Sequence, residues 1–327
     1  MICELCGTSS KSKNIKYETT YFGNSKIFEK INIECCDKCG LGIAHPIPKK
    51  NDLDNFYANE YRAVGSPFHI DFKITIGQLK TDLRSISQII LALHFKKINQ
   101  GDVFADLGPG GGDSFASMTD IFGKNYVNCW AIEYSAGAAA YYKQKFNVES
   151  HFDLSQMCSE KSKKVDLLLS SHSLEHFSFV EGLSFLNSLH DCMSASGVAV
   201  FEVPHVDLRM HADVRGGDDP HLLFFSKQSL VLLFEKCGYD VLFAETCGTH
   251  FEKIIANGGS QKNNALKSIL KRSVRRLLNS FPRLGNLIVK IFGEKGINFR
   301  DPNFAYGGNR DCLRIVVRPI GQPERLE

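Results

Sequence analysis

In the stretch Val103-Phe-Ala-Asp-Leu-Gly-Pro-Gly-Gly-Gly-Asp113 an apolar run ends in an acid and breaks into glycines. A buried strand tip followed by a turn without side chains lets backbone come very close to a ligand. The spacing Asp106-x-Gly108-x-Gly110-x-Gly112 differs from the G-x-G-x-x-G arrangement of nicotinamide-binding folds. Glu133 closes the next apolar run, Val127-Asn-Cys-Trp-Ala-Ile-Glu133, where a carboxylate can accept both hydroxyls of a ribose. No G-x-x-x-x-G-K-[ST] segment occurs, which argues against a P-loop phosphotransferase.

Cysteine supplies a second constellation. Cys3-x-x-Cys6 opens the chain and Cys36-x-x-Cys39 follows, each pair beside a glycine, Gly7 or Gly40. Four sulfurs at this spacing fit a tetrahedral structural zinc site, whose closed ligand set leaves no position for a substrate. Tyr17–Phe22 and Ile27–Ile33 are expected as the short strands of a zinc ribbon, and Cys35 as a spare thiol beside a ligand. The chain has 11 cysteines, an odd number that argues against a disulfide framework. The N-terminus lacks the basic and apolar regions of a signal peptide, so a cytoplasmic setting with reduced thiols is expected.

These groups need elements to hold them. From Val103 onward, apolar runs alternate with helical stretches, the pattern of a parallel sheet with crossover helices. Strands are expected at Val103–Asp106, Val127–Glu133, near Val148–Phe152, at Val165–Ser170, Val198–Val203, Val241–Thr246 and Cys312–Val317. Apolar residues at Leu79, Leu83, Ile86, Ile89, Ile90 and Leu93 predict a leading helix over Ile76–Ile98. A further helix over Phe225–Cys237 has Ser226 as its N-cap and Gly238 as its stop. His45-Pro-Ile-Pro48 ends the ribbon with rigid backbone.

Together, Asp106-x-Gly108-x-Gly110-x-Gly112, Glu133 and Ser170-Ser-His-Ser-Leu-Glu-His176 resemble the class I S-adenosylmethionine-dependent methyltransferases. The resemblance covers roughly residues 80–250 and implies a Rossmann-like α/β sheet. It also implies that Asp106, Gly108, Gly110, Gly112 and Glu133 hold the cofactor, that Asp153 and Leu154 flank its adenine, and that Ser171 and His176 lie near its sulfonium. The order of ribbon, aromatic linker (Tyr57, Tyr61) and core is similar to enzymes that methylate sugars. The C-methyltransferases of nucleotide-linked deoxysugars among these carry a long C-terminal substrate domain. Here an insertion and a short tail stand in its place, which favours O-methylation of a glycan in surface polysaccharide or lipopolysaccharide assembly. Methylation of rRNA or tRNA, or C-methylation of a nucleotide-linked deoxysugar, is the alternative, and a non-catalytic cofactor-binding partner a third.

A sugar hydroxyl needs help to lose its proton at neutral pH, and histidine is the commonest general base. His172, His176, His205 and His221 all fall on loops expected at the C-terminal edge of the sheet. His221 and His205 are the leading candidates, with His172 next and His176 assigned to shaping the cofactor site. Asp218, Asp219 and Glu202 raise a second route, a Mg²⁺ ion that lowers the hydroxyl's pKa.

Over 327 residues, with 43% hydrophobic and 23% charged, the chain is an ordinary globular one with a net charge of +3. Charge is unevenly spread: residues 260–296 carry nine Lys or Arg against one Glu, off a helical apolar face of Leu266, Ile269, Leu270, Val274, Leu277, Leu278 and Phe281. Residues 262–290 could dock on an anionic membrane surface, placing the protein on the inner membrane face, or on RNA phosphates. The expected organisation is a zinc ribbon (1–48), an aromatic linker with the start of the leading helix (49–79), the core (80–256), a basic helical insertion (257–300), then the last strand and tail (301–327).

Overall fold

The computed structural model describes residues 2–9, 12–18, 27–28, 31–57, 74–76, 79–81, 83–152, 154–161, 163–210, 213–215, 221–248, 305–306 and 312–321. In chain order the N-terminal part contains β1 (Ser12–Glu18), β2 (Asn32–Cys36), β3 (Gly42–His45) and α1 (Lys50–Asn55). A hairpin of β4 (Ile74–Ile76) and β5 (Leu79–Thr81) leads into α2 (Leu83–Phe95). Alternation follows: β6 (Val103–Leu107), α3 (Asp113–Phe122), β7 (Asn128–Ile132), α4 (Ala136–Phe146), β8 (Glu149–His151), α5 (Leu154–Lys161) and β9 (Val165–Ser171). Then come α6 (Phe179–Cys192), β10 (Met193–Pro204), β11 (Asp213–Arg215), β12 (Leu223–Phe224), α7 (Lys227–Lys236), β13 (Tyr239–Gly248), β14 (Ala305–Tyr306) and β15 (Cys312–Pro319).

The main sheet runs β14-β13-β15-β10-β9-β6-β7-β8. Its stretch from β10 to β8 is parallel, and β15 lies antiparallel between β10 and β13. This is the expected Rossmann-like α/β sheet. Every residue of β6 is buried, as a central strand covered on both faces requires. Period-2 alternation divides them: Val103, Ala105 and Leu107 join the apolar layer under α5, α6 and α7, while Phe104 joins the layer containing Ile89, Phe115 and Tyr142. Capping boxes set the helix starts, with Ser178 and Glu181 opening α6 and Ser226 and Ser229 opening α7.

A second sheet runs β11-β1-β2-β3-β12. Two of its five strands come from the segment after β10, so the N-terminal strands share their sheet with the chain that returns over the core. Its interior holds Ile15, Ile33, Phe56, Leu208, Leu222 and Phe224. Gly42 is required here, because a Cβ would stand 2.2 Å from Leu208 Cδ1.

Three expectations need correction. The N-terminal strands fall at 12–18, 32–36 and 42–45 rather than 17–22 and 27–33. The alternate burial of Ile15 with Tyr17 and of Ile33 with Cys35 sets the true period. The leading helix begins at Leu83, because β-branched Ile74, Thr75 and Ile76 pair with β5 instead. Ile90 is 59% exposed, so the buried stripe of α2 is Ile86, Ile89 and Ala92. Tyr61, most of the linker and the basic segment 257–300 lie outside the described residues.

One buried ion pair crosses the sheet between β10 and β15. Glu202 and Arg314 are both fully buried and are directly opposite in the register, with Arg314 Nε donating to Glu202 Oε2. Arg314→Leu should therefore cost up to about 3–5 kcal/mol in denaturant unfolding, because it removes the fully buried cation paired with that carboxylate and leaves it to the more exposed Arg84 and His172. The double change with Glu202→Leu should recover part of that loss.

Candidate active site

Parallel pairing brings the C-terminal ends of β6, β7, β9 and β10 to one edge of the sheet, and chain order reverses between β6 and β9. Ligands of open α/β sheets bind at such a crevice. Asp106 sits there on β6, 5% exposed, accepting a hydrogen bond from Ser114 Oγ. Burial raises its pKa to about 7 against the opposing Ser114 bond, and the charges of Glu133 and Asp113 add to the rise.

Gly108, Gly110 and Gly112 have φ of 65°, 57° and 78°, the left-handed region that favours glycine. A Cβ at Gly108 would stand 2.5 Å from Ser173 Oγ, and one at Gly112 would stand 2.3 Å from Phe146 Cε2. At Gly110 it would meet nothing within 4 Å. Two glycines thus permit packing and the third faces open space. Tyr142 ties the turn to the next strand tip, its hydroxyl 2.7 Å from the Gly110 carbonyl and 3.2 Å from Glu133 Oε2. The Ser135 N–H donates to Glu133 Oε1 at 2.9 Å. A buried acid, open backbone at Gly110 and a second carboxylate at the next strand tip fit an adenosyl cofactor carrying an amino acid.

The loop after β9 carries His172 and His176. Ser173 Oγ donates to the Leu107 carbonyl at 2.9 Å, fastening this loop to the tip of β6. His172 has φ 57° and lies between two carboxylates, with Nε2 3.2 Å from Glu202 Oε1 and Nδ1 3.3 Å from Glu175 Oε1. Burial disfavours its charged form, yet the Cys312 thiol, Glu175 and Glu202 outweigh burial and raise its pKa to about 11. Glu202 also receives Gln88 Nε2 at 3.2 Å and Arg84 Nε at 3.3 Å.

Beyond it, Glu175, His176 and His221 converge. Glu175 is 1% exposed, and the His221 Nε2 stands 4.0 Å from its Oε1. The rings of His176 and His221 meet edge to face at 5.0 Å, and the Tyr57 hydroxyl lies 3.2 Å from His176 Nδ1. Burial, with His176 and His172 adding to it, lowers His221 to about 4, against the pull of Glu175. The His221 backbone N–H donates to the Tyr17 hydroxyl at 2.9 Å, and Leu222 N–H donates to the Glu175 carbonyl at 2.9 Å.

Separately, the sulfurs of Cys3, Cys6, Cys36 and Cys39 cluster. Cys3 Sγ lies 3.7 Å from Cys39 Sγ, and Cys6 Sγ 3.8 Å from Cys36 Sγ. Tetrahedral thiolate ligation of zinc at about 2.3 Å implies sulfur–sulfur edges of about 3.8 Å, so the donor set and its dimensions fit. Cys35 points into the apolar interior of the second sheet.

A family profile described as a methyltransferase domain matches residues 79–243, just over half of the chain. The chain belongs to the methyltransferase-domain family. It is an S-adenosylmethionine-dependent methyltransferase, and so an enzyme. No curated protein matches the sequence. A methyltransferase from Clostridium acetobutylicum shares 11% identity at TM-score 0.43, over 75% of this chain and 95% of that one. The cyclopropane synthase MmaA2 from Mycobacterium tuberculosis shares 15% at TM-score 0.45, over 76% and 86%. The phosphoethanolamine N-methyltransferase 2 of Haemonchus contortus shares 11% at TM-score 0.40, over 72% of this chain and 52% of that chain, about half its length.

In the methyltransferase, Asp106, Gly108, Gly110, Gly112 and Glu133 come together at one edge. Ser171 Oγ accepts from Gln88 at 3.0 Å at the end of β9. Leu154 is buried in the core under α6, so its side chain packs rather than lines the edge. Asp153, Asp218 and Asp219 lie outside the described residues. Glu202 is committed to Arg314, Arg84, Gln88 and His172, which leaves no oxygen for the Mg²⁺ considered with Asp218 and Asp219. His172 is held protonated and is therefore no proton acceptor. His205 follows β10 in an isolated bridge with Phe225. Ser114, Tyr142, Phe146, Ser173 and Tyr17 went unremarked in the sequence as site residues. Only Tyr142 had a local signal, a tyrosine nearly two turns inside the helix that follows Glu133.

The raised pKa of Asp106 has a consequence for stability. The folded state holds its proton up to about pH 7, whereas the unfolded chain releases it near 3.8. Its contribution to stability is therefore greatest below the unfolded pKa and is lost as pH rises toward 7. Asp106→Asn should gain stability relative to the parent as pH rises from 4 to 7, measured by paired urea titrations. A constant difference across that range would contradict it.

Proposed function

We propose that this methyltransferase transfers a methyl group to a sugar hydroxyl in surface polysaccharide or lipopolysaccharide assembly. The Glu175–His176–His221 cluster draws the proton from that hydroxyl. The observation that carries the reading is the convergence of two imidazoles on a buried carboxylate, on the strand-tip loop that Ser173 fastens to the glycine turn. Bound S-adenosylmethionine supplies a methyl on a positively charged sulfur, which an aligned oxygen can displace in line. Alignment is then the main task of the protein. Asp106 and the turn at Gly110 take the amino-acid end of the cofactor, and Glu133 takes its ribose hydroxyls. Edge-to-face Tyr57 and His176 present aromatic surface of the kind on which a sugar ring packs.

Cys3, Cys6, Cys36 and Cys39 hold a structural zinc ion in this reading, in the reducing cytoplasm where thiols remain available. Its effect reaches the acceptor side. Ser226, which caps α7, donates its hydroxyl to the Cys39 carbonyl at 2.8 Å. Helix α7 begins directly after the segment carrying His221, so the sulfur cluster braces that segment.

Three outcomes test these assignments. Incubation with labelled S-adenosylmethionine and bacterial surface glycans should yield S-adenosylhomocysteine together with a sugar heavier by one methylene, read by mass spectrometry. Activity on RNA with none on glycans would overturn the substrate class. Glu133→Ala should abolish cofactor binding in calorimetry, and Gly110→Val should weaken it severely, since its side chain would enter the open space; the added strain of its left-handed φ of 57° is read separately by urea unfolding. Elemental analysis should find about one zinc per chain, lost in Cys36→Ser; a folded metal-free protein would remove the zinc assignment.

A further inference from the structure

The carboxylate of Glu175 presents an unusual problem. Both of its oxygens are buried and neither has a hydrogen-bond partner, although the side chain is only 1% exposed. His172 Nδ1 makes an ion pair with Oε1 at 3.3 Å, whereas Oε2 has no partner and His221 Nε2 stands off at 4.0 Å. Buried carboxylates are normally paired, hydrogen-bonded or bound to a cation. Around this one, a ligand atom from each of Glu175, His176 and His221 lies within 4.8 Å of the others.

Each of the three is also held from behind. The Glu175 backbone carbonyl accepts from Leu222, and the His221 backbone N–H donates to Tyr17. The His176 ring is fixed by Tyr57, at 3.2 Å from Nδ1 and with ring centroids 5.7 Å apart. The Tyr57 contact to the second ring nitrogen is of the kind that orients a histidine for a metal ion. Glu202 and His172, by contrast, already satisfy one another and Arg314.

We propose that Glu175, His176 and His221 bind a first-row divalent transition metal ion. Two imidazoles with one carboxylate suit Zn²⁺, Mn²⁺ or Fe²⁺ rather than Mg²⁺, which prefers an all-oxygen shell. Three protein ligands leave coordination positions open for water or for a substrate oxygen. The proposal rests on the acceptor-side reading above for its role: an acceptor hydroxyl bound at an open position becomes more acidic, and its proton leaves to bulk water. The cation, not the His221 lone pair, is then what draws the proton away. The ion is distinct from the one assigned to the four cysteines, whose sulfur donors belong to a separate cluster.

Mn²⁺ is the probe, added to full-length protein loaded with a single equivalent of zinc, which the thiolate cluster takes up, so that the second site is left for Mn²⁺. Calorimetry and electron paramagnetic resonance should find one saturable Mn²⁺ site per chain, with nitrogen hyperfine coupling from imidazole. Glu175→Gln and His221→Ala should each weaken Mn²⁺ binding by at least about tenfold, while both keep the parent's circular dichroism and zinc content. Should Glu175→Gln fail to fold, His176→Asn and His221→Ala carry the test. No saturable Mn²⁺ or Zn²⁺ binding beyond the cysteine cluster would overturn the proposal, as would binding unchanged in these variants. Glycan methylation at full rate by protein shown to lack this ion would overturn its catalytic role while sparing the sugar assignment. Metal bound through these residues in a protein that methylates no glycan would do the reverse.

Discussion

A carboxylate at the end of a central strand cannot be left alone, and much of this structure is arranged around Glu202. It is fully buried in β10, where an unpaired charge would be severely destabilising. Arg314 reaches it from β15, Arg84 and Gln88 from α2, and His172 from the loop after β9. The His172 backbone N–H also donates to the Glu202 carbonyl at 2.8 Å. One buried charge therefore joins two strands, the leading helix and the loop that carries the acceptor-side residues. The left-handed backbone of His172 fits this arrangement, since strain at a non-glycine residue persists only where the surroundings over-determine it.

The second sheet acts on the same loop from outside. Leu222 is the joint: its N–H donates to the Glu175 carbonyl, and its carbonyl accepts from Ala44 N–H at 2.9 Å. β12 then pairs with β3, and Tyr17 of β1 holds the neighbouring His221 backbone. The N-terminal strands thus form one wall of the site. Cysteine ligation at the other end of this sheet would stiffen the wall through Cys39 and Ser226.

What was legible in the sequence follows from this division. The glycine turn, the acid at Glu133 and the paired cysteines are short-range patterns whose physical cause is local. Asp106 and the three left-handed glycines sit where the spacing placed them, and so do Ser226 as a cap and Gly238 as a stop. The convergence on Glu175 is of another kind. It depends on β12 pairing with β3 and on Tyr17 reaching His221, contacts between residues far apart in the chain that no local period records. Glu202 looked like a candidate metal ligand because its partner Arg314 lies on the last strand. The N-terminal strands were displaced by several residues because their buried alternation, Ile15 with Tyr17, is short and interrupted by polar residues.

His172 and His221 show how far local geometry alone can separate two like groups. Both face Glu175, both are largely buried, and desolvation works against the charged form of each. At His172 two carboxylates lie at 3.2 and 3.3 Å, close enough for pairing to overcome burial, and the ring stays protonated. At His221 the single carboxylate stands at 4.0 Å and two other imidazoles add repulsion, so burial prevails and the ring stays neutral. The same acid thus has a fixed cation on one side and a free lone pair on the other. A purely structural carboxylate would gain by closing the longer gap. With Oε1 already paired to His172 and Oε2 without a partner, the open His221 side is where the proposed cation would sit.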